Sequence, residues 1–209
     1  MIKALVLDYG NVISEPQDSR CYARMASLSG LTEDFFKEAF WRYRPDYDRG
    51  AIRGLEMYRR VLESGGLALE RGWDRSEVER LAARLLDEDL MSWSRVSRAV
   101  TEWALSIRSS GVALGILSNM PFDFLERYGD SIELFAKADA AVFSCDVGMV
   151  KPEPAIYREL SRKLSLEPGE IAFFDDIAAN VESARAAGIR AFLWTGLDRA
   201  REDFARASS

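Results

Sequence analysis

Histidine is absent from all 209 residues. That removes every mechanism that turns on imidazole, including serine–histidine and cysteine–histidine nucleophile activation and histidine-ligated metals. Chemistry in this chain must run on carboxylates, lysine, arginine, hydroxyls or hard metal ions. Cysteine is scarce as well. Cys21 and Cys145 are too few and too far apart for a disulfide framework or a zinc site, so both are read as reduced and structural. No apolar run approaches the roughly 18 residues a membrane span requires. The opening MIKALVLDYG holds four apolar residues, Ala4 to Leu7, before an acid: too few for a signal peptide and right for a first strand. Nor is there a basic excess, since 28 Lys and Arg stand against 34 Asp and Glu for a net charge of −6. Such a surface repels phosphate polymers, so neither nucleic acid nor membrane is an expected partner, and the cytoplasm is the expected compartment.

What remains is an ordinary globular composition, 48% hydrophobic and 30% charged, long enough for one large domain or a core with an insertion. Short apolar runs bounded by turn residues recur at 2–7, 112–117, 140–143, 171–174 and 191–194. Runs of this length, apolar throughout, suit strands covered on both faces, and helical periodicity between the later ones argues for a parallel α/β sheet. Helices are expected at 153–164, where Ile156, Leu160 and Leu164 lie four apart, and at 178–187, stopped by Gly188. Residues 14–92 differ. Helical patterns follow one another at 19–29, 32–42, 52–64 and 75–90 without strands, broken at Gly65-Gly66 and Gly72. Thr32 before Glu33-Asp34 has the form of an N-cap. A helix at 96–109 then returns to the sheet. The expected organisation is a doubly wound, Rossmann-like core (1–13 and 93–209) carrying an all-helical insertion (14–92).

In open parallel sheets ligands bind beyond the carboxyl ends of the strands. There the chain places Asp8-Tyr9-Gly10-Asn11-Val12, then Ser118-Asn119, then Lys151-Pro152 at a helix start, then Asp175-Asp176 with Asn180 one turn on. Three acids in one pocket repel one another unless a cation joins them, and oxygen-only ligands select a hard ion such as Mg²⁺. A carboxylate at a strand tip can attack phosphorus, and a lysine with hydroxyl and amide donors can hold phosphoryl oxygens. Singly, each residue has a plainer reading: Asp8 as a turn residue, Asp175-Asp176 as a helix cap, Lys151 as a solvated lysine, Ser118-Asn119 as strand-end turn chemistry.

LVLDYGNVI, LGILSNM, Lys151-Pro152 and IAFFDDIAAN, in that order, resemble the four motifs of the haloacid dehalogenase-like hydrolase superfamily, in its helical-cap branch. The resemblance covers about residues 2–195, and the helical insertion sits where that superfamily carries a cap. It implies Asp8 as nucleophile and Mg²⁺ ligand, and Gly10 as a ligand through its backbone carbonyl. Ser118, Asn119 and Lys151 would hold phosphate. Asp175 and Asp176 would complete the metal site, with Asp176 favoured for direct coordination.

Phosphatases of that superfamily usually carry a second Asp two residues after the nucleophile, as general acid. Here that position is Gly10, and a general acid contributes about 10²–10⁴-fold in rate. Three explanations stand open. In the first, the chain resembles the DxGNV-type sugar-1-phosphate phosphatases, whose leaving group is good. In the second, a residue of the stretch 41–50 supplies the proton, although Arg44 and Arg49 there suit substrate anions better. Or the bond cleaved is carbon–halogen, as in metal-independent 2-haloacid dehalogenases. The acidic pair at 175–176 favours phosphate, because displacing a halide needs no cation. A catalytically weakened phosphoryl-binding module is a further alternative, and no lysine near position 50 offers the amine of a phosphonate-cleaving relative. Phe35, Phe36, Phe40, Trp41 and Tyr43 are read as packing, as are Trp73, Trp93 and Trp103, and the terminal RAREDFARASS as a frayed helix end.

Overall fold

The computed structural model describes residues 1–64, 66 and 71–209; Gly65, part of one expected break, lies outside them. Five strands, β1 (Ala4–Leu7), β2 (Ala113–Ser118), β3 (Ala140–Phe143), β4 (Ile171–Asp175) and β5 (Arg190–Leu193), form one parallel sheet in the order β3-β2-β1-β4-β5. The expected runs are all strands, within two residues at each end. β1 is central and buried on both sides, which is why its run has no polar alternation. Alternate residues of each strand point to opposite faces. Leu5, Leu7, Leu114, Ile116, Ala172 and Phe174 join one core. Ala4, Val6, Leu117, Ile171 and Phe173 join the other.

Helices cover both faces. On the first lie α5 (Arg98–Ser109), through Val100, Trp103 and Ala104, and α11 (Leu197–Ser208), through Ala200 and Phe204. On the second lie α9 (Pro154–Leu164), through Ile156, Tyr157 and Leu160, and α10 (Ala178–Ala186), through Val181 and Ala184. The C-terminal segment is therefore a packed helix rather than a frayed end, because Ala200 and Phe204 bring an apolar stripe onto Trp103. Short helices α6 (Phe122–Tyr128), α7 (Glu133–Lys137) and α8 (Ser144–Val147) were not expected, being too brief to show a period.

Between β1 and α5 lie α1 (Cys21–Ser29), α2 (Glu33–Asp48), α3 (Gly54–Ser64) and α4 (Arg75–Ser92), packed on one another. Thr32 caps α2 by accepting from Phe35 N, and Asp74 caps α4 by accepting from Glu77 N at 2.9 Å. α2 runs a turn and a half past the expected stop at Arg42, through Pro45, because Tyr47 and Asp48 are buried and Arg44 pairs with Asp48 along the extra turn. The two connections to the sheet run side by side as an antiparallel bridge, Ser14 opposite Val96. The apolar core is continuous across this join, since Met25, Phe36, Phe40 and Tyr58 belong to the cluster that holds Leu5 and Leu7. Cys21 and Cys145 are buried free thiols. Among the described residues no helix is long and apolar enough to cross a membrane.

Candidate active site

The parallel register brings the motif residues level. Leu7 lies opposite Phe174 on one side and Ile116 on the other, so the next residue, Asp8, emerges beside Asp175 and Leu117. Asp8 N donates to Phe174 O at 3.0 Å, carrying the ladder one residue past the strand. The chain then turns through Tyr9–Ile13, closed by Ser14 N donating to Tyr9 O at 2.8 Å, with Asn11 in the left-handed region at φ 55°. Asn11 Nδ2 donates to Asp176 Oδ2 at 2.8 Å and so ties the first motif to the fourth.

Lys151 is the hub. Its Nζ lies 2.8 Å from Asp8 Oδ1 and 2.6 Å from Asp175 Oδ2, and donates to Leu117 O at 3.1 Å. Three donors meet three acceptors, which is what a buried ammonium requires. Asn119 holds the lysine's main chain from both sides: its Oδ1 accepts from Lys151 N at 2.7 Å and its Nδ2 donates to Lys151 O at 2.9 Å. Its amide thus serves the lysine. Asp175 is fully engaged, accepting from Lys151, from Asn180 Nδ2 at 3.0 and 3.1 Å, and from Ile177 N at 2.8 Å. Asp176, by contrast, lines the cavity together with Asp8, Gly10, Ser118 and Lys151.

Burial pushes the Asp8 carboxyl up to about 7, with Asp175 and Asp176 adding to the rise and Lys151 opposing it. Burial also raises Asp176, against the donation from Asn11. For Lys151 burial acts toward loss of the proton, but Asp8 and Asp175 outweigh it and hold the ammonium above the ordinary lysine range. Ligand oxygens of Asp8, Asp175 and Asp176 all lie within 4.8 Å of one another. Three acids set this close against one ammonium fit a hard divalent ion.

Trp93 packs against the core as expected and also forms part of the wall. A Cβ added to Gly10 would meet its ring at 3.4 Å, so the indole packs beside the position where an acid is absent. Trp41, 58% exposed, is also on the wall rather than in the packing. The cavity, about 370 Å³, is roofed by Arg44, Asp48 and Asp89 from α2 and α4. Arg44 is not free: its Nε lies 2.7 Å from Asp48 Oδ1 and its Nη1 3.2 Å from Asp89 Oδ2. Arg49 is spent on Glu153 at 2.6 Å. Asp48 lies in the stretch 41–50 offered as a proton source, whereas Asp89 was not singled out from sequence, since it looks like any helix acid. Ser144, also missed, accepts from Met120 N at 2.8 Å and donates to Asp48 O, joining the loop after β2 to the roof.

The family model of haloacid dehalogenase-like hydrolases matches residues 2–188. The chain belongs to that family. It is a hydrolase of this class, with phosphatases among its relatives. Bifunctional epoxide hydrolase 2 of Sus scrofa is 23% identical over 99% of this chain, and the chain spans 39% of that protein's length. A phosphatase of Mycobacterium tuberculosis is 32% identical over 79% of this chain and 67% of its own. The fold matches a haloacid dehalogenase-family enzyme of Bacteroides thetaiotaomicron, solved with magnesium and inorganic phosphate, at TM-score 0.74 and 18% identity over 97% of this chain and 99% of that one. It also matches a 2-haloacid dehalogenase of Pseudomonas syringae at TM-score 0.65 and 21% identity over 99% of both chains.

Proposed function

We propose that this hydrolase is a magnesium-dependent phosphatase acting on a small phosphorylated metabolite, with residues 14–92 as its cap. The observation that carries the reading is the convergence of Asp8, Asp175 and Asp176 on one point beside Lys151. Asp8, Asp176 and the Gly10 carbonyl would hold the ion, with Asp175 behind them fixing Lys151. Bound there, Mg²⁺ would screen the approach of an anionic phosphoryl group and stabilise its charge in the transition state.

The rest is the work of the chain's own residues. Ser118 donates to a phosphoryl oxygen, and Lys151 turns to the phosphoryl group the donor that otherwise stands on Asp8, as Asp8 takes up the ion. An Asp8 oxygen bonds to phosphorus as the bond from phosphorus to the leaving oxygen breaks, giving an aspartyl-phosphate. Water then attacks that phosphorus, its proton goes to solvent or to the departed alkoxide, and Asp8 and inorganic phosphate are released. With glycine at position 10, the leaving oxygen has no acid there. A weakly basic leaving group, such as the anomeric oxygen of a sugar 1-phosphate, suits this geometry.

The competing reading is dehalogenation, supported by the dehalogenase neighbour and by the missing second acid. Asp176 weighs against it, because a halide departs from carbon without a cation. Phosphate release from p-nitrophenyl phosphate and from hexose 1-phosphates, required to depend on Mg²⁺ and to stop in EDTA, tests the proposal. Chloride release from 2-chloropropionate in EDTA would reverse it.

A further inference from the structure

Building on the phosphatase reading, we infer that the cavity's roof selects the substrate by charge. It accepts a phosphate ester whose remote end is an uncharged hydroxyl-bearing or an amine-bearing group, and it rejects one bearing a carboxylate there. The roof faces the same cavity as Asp8 and Lys151. It has one guanidinium and two buried carboxylates, with Asp48 8% and Asp89 1% exposed. Arg44 donates to both and lies over the rings of Phe40 and Tyr47 at 5.3 and 5.6 Å. A guanidinium clamped in this way, with its edge on carboxylates and its faces on aromatic rings, is compensated rather than available. With both carboxylates ionised, the group meets the ligand with a net charge of −1. Asp48 Oδ1 takes the arginine, and among the described residues Oδ2 makes no hydrogen bond, leaving an acceptor for a hydroxyl or ammonium. An arginine opposite a phosphate site would ordinarily read as a second anion receptor; here two acids reverse the sign.

At the separations available in a cavity of this size, one unit of like charge in a medium of effective dielectric about 20 is worth about ten- to fiftyfold in selectivity. Three hexose 1-phosphates test this on the unaltered protein with Mg²⁺: 6-amino-6-deoxyglucose 1-phosphate, glucose 1-phosphate and glucuronic acid 1-phosphate, differing at C6 in amine, hydroxyl or carboxylate. The expected kcat/KM for the glucuronic acid ester is at least about tenfold below that for the glucose ester, with the amino ester no worse than glucose. Asp48→Asn and Asp89→Asn, which keep an acceptor for Arg44, should each shrink the glucose-to-glucuronate ratio at least about threefold. A glucuronic acid ester turned over as well as glucose, or a ratio unmoved in both variants, would overturn the inference. p-Nitrophenyl phosphate separates the two claims: its hydrolysis with no charge preference sinks the roof and leaves the phosphatase. Should p-nitrophenyl phosphate resist hydrolysis, the phosphatase reading falls, and calorimetric titration of the three esters decides the roof by their order of affinity.

Discussion

Floor and roof of the cavity are built on the same plan and put to different use. Each sets one cation between two buried carboxylates, Lys151 between Asp8 and Asp175, Arg44 between Asp48 and Asp89. On the floor a third acid, Asp176, adds charge that the lysine cannot balance, and main-chain groups of Tyr9, Leu117 and Ile177 fix the geometry. In the roof the planar guanidinium is shared by side chains, and among the described residues no further acid pairs with it. An unbalanced cluster on rigid strand ends invites a divalent ion and reaction. A nearly balanced one on two helices shapes what the ion's ligand can carry.

The largest expected effect falls on the floor. Asp8→Asn should lower kcat on p-nitrophenyl phosphate by at least about 10⁴-fold, read as phosphate release, because it removes the attacking oxygen. Activity within tenfold of the parent would remove Asp8 from the chemistry. Next come Lys151→Met and Arg44→Met. Each strands two buried carboxylates, costing about 3–5 kcal/mol, or about 10 °C in Tm. The pair should fall together in a melting experiment and separate in turnover, Lys151→Met losing at least about 10²-fold in kcat and Arg44→Met less. Equal kcat losses would erase the distinction between the two clusters.

Smaller is the effect of the ion on stability. Saturating Mg²⁺ at about 100 times its Kd should add about 2.7 kcal/mol, a Tm rise of several degrees. Asp176→Asn should lose that rise and Asp48→Asn should keep it. The sign with pH follows from Asp8, whose carboxyl burial raises to about 7. Its contribution to stability is present in full below the usual carboxylate range and is lost as pH rises through about 7, where the ionised group is left in the cavity. Mg²⁺ needs that ionised form, so its stabilisation should be larger at pH 8 than at pH 5.5. Equal shifts at both values would contradict the assignment of Asp8 as a ligand. Smallest is Gly10→Ala: with φ −62° the backbone makes no demand for glycine, and the added methyl meets Trp93 at 3.4 Å, for a loss under about 1.5 kcal/mol in a denaturant titration.

Much of the floor was legible from sequence because its parts are local. Each apolar run ends in its own chemical residue, and the parallel sheet is the expected outcome of alternating runs and helices. Asn119 shows the limit: it was read as a phosphate donor, and the fold spends its amide on the main chain of Lys151. Arg44 shows it again. The expected helix stopped at Arg42, so the i,i+4 relation of Arg44 to Asp48 was hidden, and Asp89 lies 45 residues from Arg44 on another helix. Trp93 was one aromatic among several until the chain set its ring against Gly10.

By itself the sequence determined which residues end the strands, and so which chemistry a parallel sheet can assemble, because strand boundaries follow from short-range patterns. Tertiary structure alone decided which of the remaining charges meet, since partners on different helices are chosen by packing that no local pattern encodes. Hence the candidate nucleophile could be named from the chain, whereas the pairing of the charges that roof the cavity had to await the fold.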